Sequence, residues 1–318
     1  MSRKNLKKIP LGSTDIQISP MGLGIWAWGD TLLWDYGKDF NRDDVDEAWR
    51  TSIEGGINFI DTAEIYGFGR SERILGDLLE PGQDIDLKIA TKFIPLPWRL
   101  FSFQLERALL ASLRRIQRDK VELYQIHHPL PLRPQSQWLR AMADQHQQGR
   151  LGAIGVSNFN LERTKSAVAT LADLQLPLAS NQMEFSLLDR RIEHSGLLQY
   201  CHDHGVTVIA YSPLAQGLLT GKYHAGNPPP GARGRRVNSK TWRRLEPLLQ
   251  AMERIGQAHG DRPLAQVALN WTIAKGTVPI PGAKTGKQAR ENVATLEWEL
   301  NQDEVAELDE LSSFSPED

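Results

Sequence analysis

Four side chains suited to proton chemistry fall in or just after short apolar runs. They are Asp61 and Tyr66 in Phe59-Ile60-Asp61-Thr62-Ala63-Glu64-Ile65-Tyr66-Gly67, Lys92 in Ala90-Thr91-Lys92-Phe93, and His127 in Gln125-Ile126-His127-His128-Pro129. An isolated charge in a buried strand is expensive. Pairing Asp61 with Lys92 offsets that cost without making the pair a strong source of stability, because desolvation opposes the attraction. The pair therefore reads as a device for tuning a neighbour. An ammonium beside Tyr66 favours tyrosinate, so the phenol is expected to fall from its ordinary pKa of about 10. Tyr66 then becomes a general acid nearer neutral pH. His127 is positioned to donate a hydrogen bond to a substrate oxygen and orient it. Successive strand residues point to opposite sides, so only one of His127 and His128 is expected to face the substrate, and His127 is assigned that place.

Such residues act together only if the chain brings them to one rim. Eight strand candidates occur: 21–25, 57–63, 87–93, 121–127, 153–158, 179–185, 207–212 and 277–281. Helical stretches lie near 43–55, 71–80, 102–117, 135–148, 160–173, 190–204, 263–275 and 287–296, with Asn41 and Asn160 as start signals and Gly55 and Gly205 as stops. Strands alternating with helices call for parallel pairing, since each crossover needs a dozen or more residues. Eight such units close into an α/β fold, the (β/α)8 TIM barrel, whose site lies at the C-terminal ends of the strands. That is where Asp61, Lys92 and His127 fall. An open doubly wound sheet is the weaker reading, because the first turn offers only Gly22-Leu23-Gly24 without a third glycine. The remaining residues suggest an N-terminal β-hairpin over 4–20 plugging the barrel bottom, a long connection over 213–244, and two accessory helices near 245–259 and 302–312. Residues 1–318 read as a single domain.

Composition narrows the class. The 318 residues carry 37 Lys+Arg against 39 Asp+Glu, a formal net charge of -2, which argues against a nucleic-acid partner. No apolar run approaches the ~18 residues of a membrane span, and the basic start MSRKNLKKIPLGS lacks the apolar stretch of a secretory signal. One cysteine, Cys201, permits no intrachain disulfide, in keeping with a cytoplasmic protein. Cys201-His202-Asp203-His204 looks metal-like, but neighbours on a helix splay apart, and no metal is expected. Trp26, Trp28, Trp34 and Trp98 fall in loops after the first and third strands, suggesting an aromatic-lined mouth suited to hydrophobic or aromatic substrates. The sequence leaves oligomeric state open.

Beyond these separate signals, the run Asp61-Thr62-Ala63-Glu64-Ile65-Tyr66-Gly67 with Ser71-Glu72 and Leu75-Gly76 resembles the aldo-keto reductase family. So do 149–159 (GRLGAIGVSNF), Ile280-Pro281-Gly282-Ala283-Lys284, and Glu291-Asn292. The likeness runs from about residue 8 to 312. It implies a barrel that uses NADPH to reduce small-molecule aldehydes and ketones, with Asp61, Tyr66, Lys92 and His127 as the catalytic tetrad. Tyr66 would protonate the carbonyl oxygen while the nicotinamide delivers hydride. His128 stands where relatives often carry Trp. The resemblance also implies a cofactor site. Ser157, Asn158 and Gln182 would hold the carboxamide, Tyr211 would stack on the nicotinamide, and Asp61, Gly24 and Trp26 would border it. Ser212, Pro213, Leu214, Gln216 and Gly217 would pass beside the pyrophosphate, with Lys222 and Arg233 near the phosphates. Gly282, Ala283, Lys284, Gln288, Glu291 and Asn292 would surround the adenosine end. Some branches carry Arg at the place of Gln288. Its absence points to the branch containing potassium-channel β subunits and many bacterial reductases, and leaves Lys284 with more of the 2′-phosphate recognition. That branch also supplies the alternative reading, a redox-sensing interaction protein that binds NADPH while its chemistry stays slow.

Overall fold

The chain is described from a computed structural model covering residues 6–79, 86–129, 134–224, 226–229 and 239–313. Arg233, expected near the phosphates of a cofactor, therefore lies outside the described residues. Eight parallel strands pair in sequential order, β3 to β10: β3 (Leu23–Gly24), β4 (Phe59–Asp61), β5 (Lys88–Phe93), β6 (Val121–Ile126), β7 (Leu151–Ser157), β8 (Leu178–Glu184), β9 (Thr207–Tyr211) and β10 (Val278–Pro279). The two edges meet: Gly22 N–H donates to the Pro279 carbonyl at 2.9 Å and Gly24 N–H to that of Pro281 at 3.1 Å. Glycine is required at this seam. A Cβ on Gly24 would lie 2.7 Å from the Ile280 carbonyl oxygen.

Helices α1 (Arg42–Glu54), α2 (Arg70–Leu78), α3 (Ser102–Ile116), α4 (Gln135–Gln147) and α5 (Leu161–Ala172) follow the first five strands in turn. After β8 come two short helices, α6 (Arg191–His194) and α7 (Leu197–Asp203). Helix α1 shows why these stretches are helical and which face they bury. Asn41 caps it by accepting from the Asp43 and Asp44 amides, while Val45, Ala48, Trp49, Ser52 and Ile53 form the buried stripe at the 3.6-residue period. Further along lie α8 (Ser239–Ala258), α9 (Leu264–Ala274), α10 (Gly286–Ala294) and α11 (Gln302–Leu311). The expected helix near 245–259 thus begins earlier, at Ser239, and runs through Pro247. Helix α11 is fastened by its Asp309, which accepts from Trp271 Nε1 at 3.0 Å and from Lys275 Nζ at 2.9 Å.

The hairpin of β1 (Ile9–Pro10) and β2 (Gln17–Ile18) pairs antiparallel, Ile9 opposite Ile18. Its Leu11 and Ile18 are fully buried among Phe59, Ala90, Leu123, Ala153, Ala179, Ile209, Val278 and Ile280. These are side chains from the strands and the turns beside them, so the hairpin caps the barrel interior. Among the described residues no helix is long and apolar enough to cross a membrane, and no three His, Cys, Asp or Glu side chains gather as a metal ion would require.

Candidate active site

Strand register brings the polar residues to one end. Gly24 stands beside Asp61, Lys92 beside Gln125, Ser157 beside Gln182, and Glu184 beside Tyr211. Asp61, only 2% exposed, accepts from Lys92 Nζ at 2.5 Å, from Gln182 Nε2 at 2.8 Å and from Gln125 Nε2 at 3.3 Å. Lys92 is fully buried and donates also to the Thr62 carbonyl at 2.8 Å and to Tyr66 Oη at 3.2 Å. Asp61 and Lys92 are therefore a hydrogen-bonded buried pair. Tyr66 reaches them because the chain doubles back immediately after it. Gly67 (φ 53°), Phe68 (φ 56°) and Gly69 (φ 82°) are all left-handed, a backbone that non-glycine residues adopt only under constraint.

Electrostatics here departs from the sequence expectation. Burial pushes the Tyr66 phenol above its ordinary pKa; Lys92 pulls it down and Asp61 pushes it up, and the net direction is upward. Desolvation of a tyrosinate outweighs a single ammonium that is itself neutralised by Asp61. Tyr66 therefore keeps its proton, which an acid needs. Burial favours the neutral Lys92 amine, but Asp61 and Tyr66 overcome it and the ammonium persists. His127 is pushed down to about 2, first by burial and then by Lys92 and His128, so its imidazole is neutral.

His127 packs edge-on to the Tyr66 ring, centroids 5.6 Å apart at 83°. Its Nδ1 is buried and meets no hydrogen-bond partner among the described residues. The expected opposition of His127 and His128 does not hold: their rings stack in parallel, 5.1 Å apart at 8°. Strand β6 ends at Ile126, so the alternation of a strand no longer applies to the pair. His127 is buried, while His128 is exposed.

The carboxamide candidates form one hydrogen-bonded chain. Tyr211 Oη donates to Asn158 Oδ1 at 2.9 Å. Asn158 Nδ2 donates to Ser157 Oγ at 3.0 Å and to the His127 carbonyl at 3.1 Å. Ser157 Oγ donates to the Gln182 carbonyl at 2.9 Å, and Gln182 leads back to Asp61. Burial, then Glu184, pushes Tyr211 up to about 12, so it holds the proton it donates.

In the loop after β9, expected beside the pyrophosphate, the backbone turns sharply. Ser212 (φ 52°), Ala215 (φ 46°), Gln216 (φ 53°) and Gly217 (φ 98°) are left-handed around Pro213 and Leu214. Within the loop the Ala215 amide donates to the Ser212 carbonyl at 2.8 Å and the Gly217 amide to the Leu214 carbonyl at 2.9 Å. Lys222 is exposed, its ammonium 5.3 Å from the centre of the Tyr223 ring. At the far end Asn292 is buried and donates to the Gly282 carbonyl at 3.3 Å, which fixes the loop before α10. Glu291 is half-buried beside Lys287 at 3.8 Å. Gln288 Oε1 accepts from the Lys284 amide at 2.8 Å.

Of the four mouth tryptophans, Trp28 is elsewhere. It is fully buried and donates from Nε1 to the Ala283 carbonyl at 2.8 Å, tying the first loop to the last strand's end. Trp26 lies over Tyr66, ring centres 5.8 Å apart, with Trp34 edge-on to it at 5.5 Å, and Trp98 is exposed. Two features escape the sequence reading. Gln125 is a fully buried polar residue in an apolar strand, the same signal that singled out Asp61. The forked pair of Arg99 with Glu64 fastens the loop after β5, and no local signal joins residues so far apart.

Comparison with known proteins identifies the family. Residues 20–313 match the Aldo/keto reductase family. The chain is 37% identical to a chloroplastic pyridoxal reductase of Arabidopsis thaliana, covering 98% of this chain and 87% of the relative. It is 32% identical to an NADH-specific methylglyoxal reductase of Escherichia coli, covering 96% and 98%. A solved aldo-keto reductase of Klebsiella pneumoniae in complex with NADPH superposes with a TM-score of 0.75 at 27% identity, over 98% of this chain and 97% of that one.

Proposed function

Because the chain belongs to the aldo-keto reductase family, we propose that it is an NADPH-dependent reductase of aldehydes and ketones, acting as one barrel unit. A single observation carries the reading: a protonated Tyr66 whose Oη is 3.2 Å from an ammonium held by a buried carboxylate. Bound NADPH supplies the hydride. The chain does the rest. Tyr66 hands its proton to the carbonyl oxygen as negative charge builds there. Lys92, kept charged by Asp61, stabilises the tyrosinate left behind. His127 is neutral and so retains one N–H donor to orient the carbonyl oxygen. The chain Tyr211–Asn158–Ser157–Gln182 holds the groups that would fix the carboxamide, and the loop 212–217 would pass beside the pyrophosphate. In the reverse direction the same Tyr66 accepts the proton from an alcohol.

The mouth supports one substrate class. Trp26 over Tyr66 and the exposed Trp98 favour planar aromatic or heteroaromatic aldehydes. The relatives named for pyridoxal and methylglyoxal set the panel: pyridoxal, a benzaldehyde series and methylglyoxal. The experiment follows loss of reduced-nicotinamide absorbance with each. Turnover is expected on the aromatic members first; tight NADPH binding with no turnover on any aldehyde overturns the reading in favour of a slow redox sensor.

A further inference from the structure

Lys284 carries the expected 2′-phosphate recognition, and its ammonium is already engaged. Nζ lies 4.9 Å from the centre of the Trp34 ring and 4.8 Å from that of Phe40. It also donates to the Trp34 carbonyl at 3.2 Å. An ammonium has three N–H donors and no acceptor; two ring faces and a carbonyl are among the groups that engage it. Both rings belong to the segment between β3 and α1. This segment is itself folded on Asp30, whose Oδ1 accepts from the Leu32 and Leu33 amides at 2.9 Å. Lys284 immediately precedes Thr285, the N-cap of the nine-residue helix α10, which has no acid in its first turn. The dipole and amides there favour an anion.

We infer that Trp34 and Phe40 form an aromatic latch on Lys284 that weakens recognition of the 2′-phosphate, so that this chain separates NADPH from NADH only modestly. The inference rests on the proposed use of a nicotinamide dinucleotide. A phosphate bearing nearly two charges must draw Nζ from at least one of these partners before it gains a full ionic contact. NADH demands no such exchange. The position that could reinforce the lysine does not, since Gln288 is turned onto the Lys284 backbone and carries no charge. The rings also connect to the reacting end: Trp34 meets Trp26, and Trp26 covers Tyr66.

Calorimetric titration of the full chain with NADP and with NAD tests this without recourse to turnover. The native chain is expected to favour NADP by less than about tenfold. Trp34→Leu should tighten NADP by about three- to tenfold, the worth of a partly desolvated cation–π contact, and leave NAD unchanged. Phe40→Leu, which keeps the Trp34 carbonyl and ring, should shift NADP in the same direction, and Lys284→Met should make the two affinities equal. Unchanged or weaker NADP binding in both ring variants overturns the latch. So does a parallel loss for NADP and NAD, which would make the rings supports of the whole site. Binding of neither dinucleotide by the native chain overturns the cofactor reading itself and the latch with it.

Discussion

Tyr66 combines two demands that oppose each other in water: it must hold a proton until the carbonyl needs it, and survive as an anion afterwards. Burial meets the first and Lys92 the second. Tyr66→Phe removes the hydroxyl, and with it the transferable proton and the acceptor of the Lys92 hydrogen bond, and should lower kcat by about two to four orders of magnitude while NADPH affinity, read by fluorescence titration, stays within error. Equal turnover would remove Tyr66 from the acid role. Because the phenol is pushed upward, the alkaline fall in kcat/KM should lie above the ordinary tyrosine range, and no limb near pH 6.5 should come from His127. That histidine gives a second prediction. Its folded pKa of about 2 lies below the unfolded value of 6.5, so the unfolded chain binds the extra proton, and the contribution present above pH 6.5 is lost as pH falls. The slope is ~1.4 kcal/mol per pH unit. Urea midpoints at pH 7 and pH 5 should therefore draw closer in His127→Asn, by about 2 kcal/mol in unfolding free energy; an unaltered difference refutes the neutral buried imidazole.

At the scale of elements, the β1–β2 hairpin acts as a closure for an interior too wide to end in water. Leu11 is fully buried against strand side chains and has no bulkier neighbour on the hairpin to replace it. Leu11→Ala should cost about 2–5 kcal/mol, measured by urea unfolding, with KM for aldehyde unmoved because the plug lies at the opposite end from Tyr66. A shift in KM without loss of stability would contradict that geometry. Elements like these were legible beforehand for a physical reason. Buried parallel strands are short unbroken apolar runs, amphipathic helices have a 3.6 period, and Asn41 and Asn160 cap where their side chains predict. The site was legible where a charge breaks an apolar strand, as at Asp61 and Lys92. Long-range and non-strand geometry was not. Nothing local tells that Trp28 turns inward to Ala283, that the histidine pair leaves the strand and stacks, or that Arg99 clamps Glu64. Nor does type or spacing reveal the balance that raises Tyr66, because desolvation depends on the whole surrounding fold.

For the molecule as a whole, the seam between the first and last strands is where architecture and site coincide. Gly24 pairs with Asp61 on one side and bridges to Gly282 on the other, so the glycine that closes the barrel also sets the spacing between the tetrad and the loop leading to Lys284. Gly22 and Gly24 make a controlled comparison. A Cβ on Gly22 would press first on side-chain atoms, Phe59 Cδ1 at 2.7 Å and Ile280 Cγ2 at 2.9 Å, with the Phe59 carbonyl oxygen at 3.0 Å. A Cβ on Gly24 would press on the Ile280 carbonyl oxygen at 2.7 Å, which cannot move without displacing the seam. Both alanine variants overpack, at a cost of about 1–3 kcal/mol. Only Gly24→Ala should in addition weaken NADPH, because the backbone it displaces runs directly into Gly282, Ala283 and Lys284. Urea midpoints and NADPH titration on the two variants distinguish the effects. Equal stability loss with unequal cofactor affinity is the expected pattern; matched affinities would mean that closure of the barrel and assembly of the adenosine end are independent.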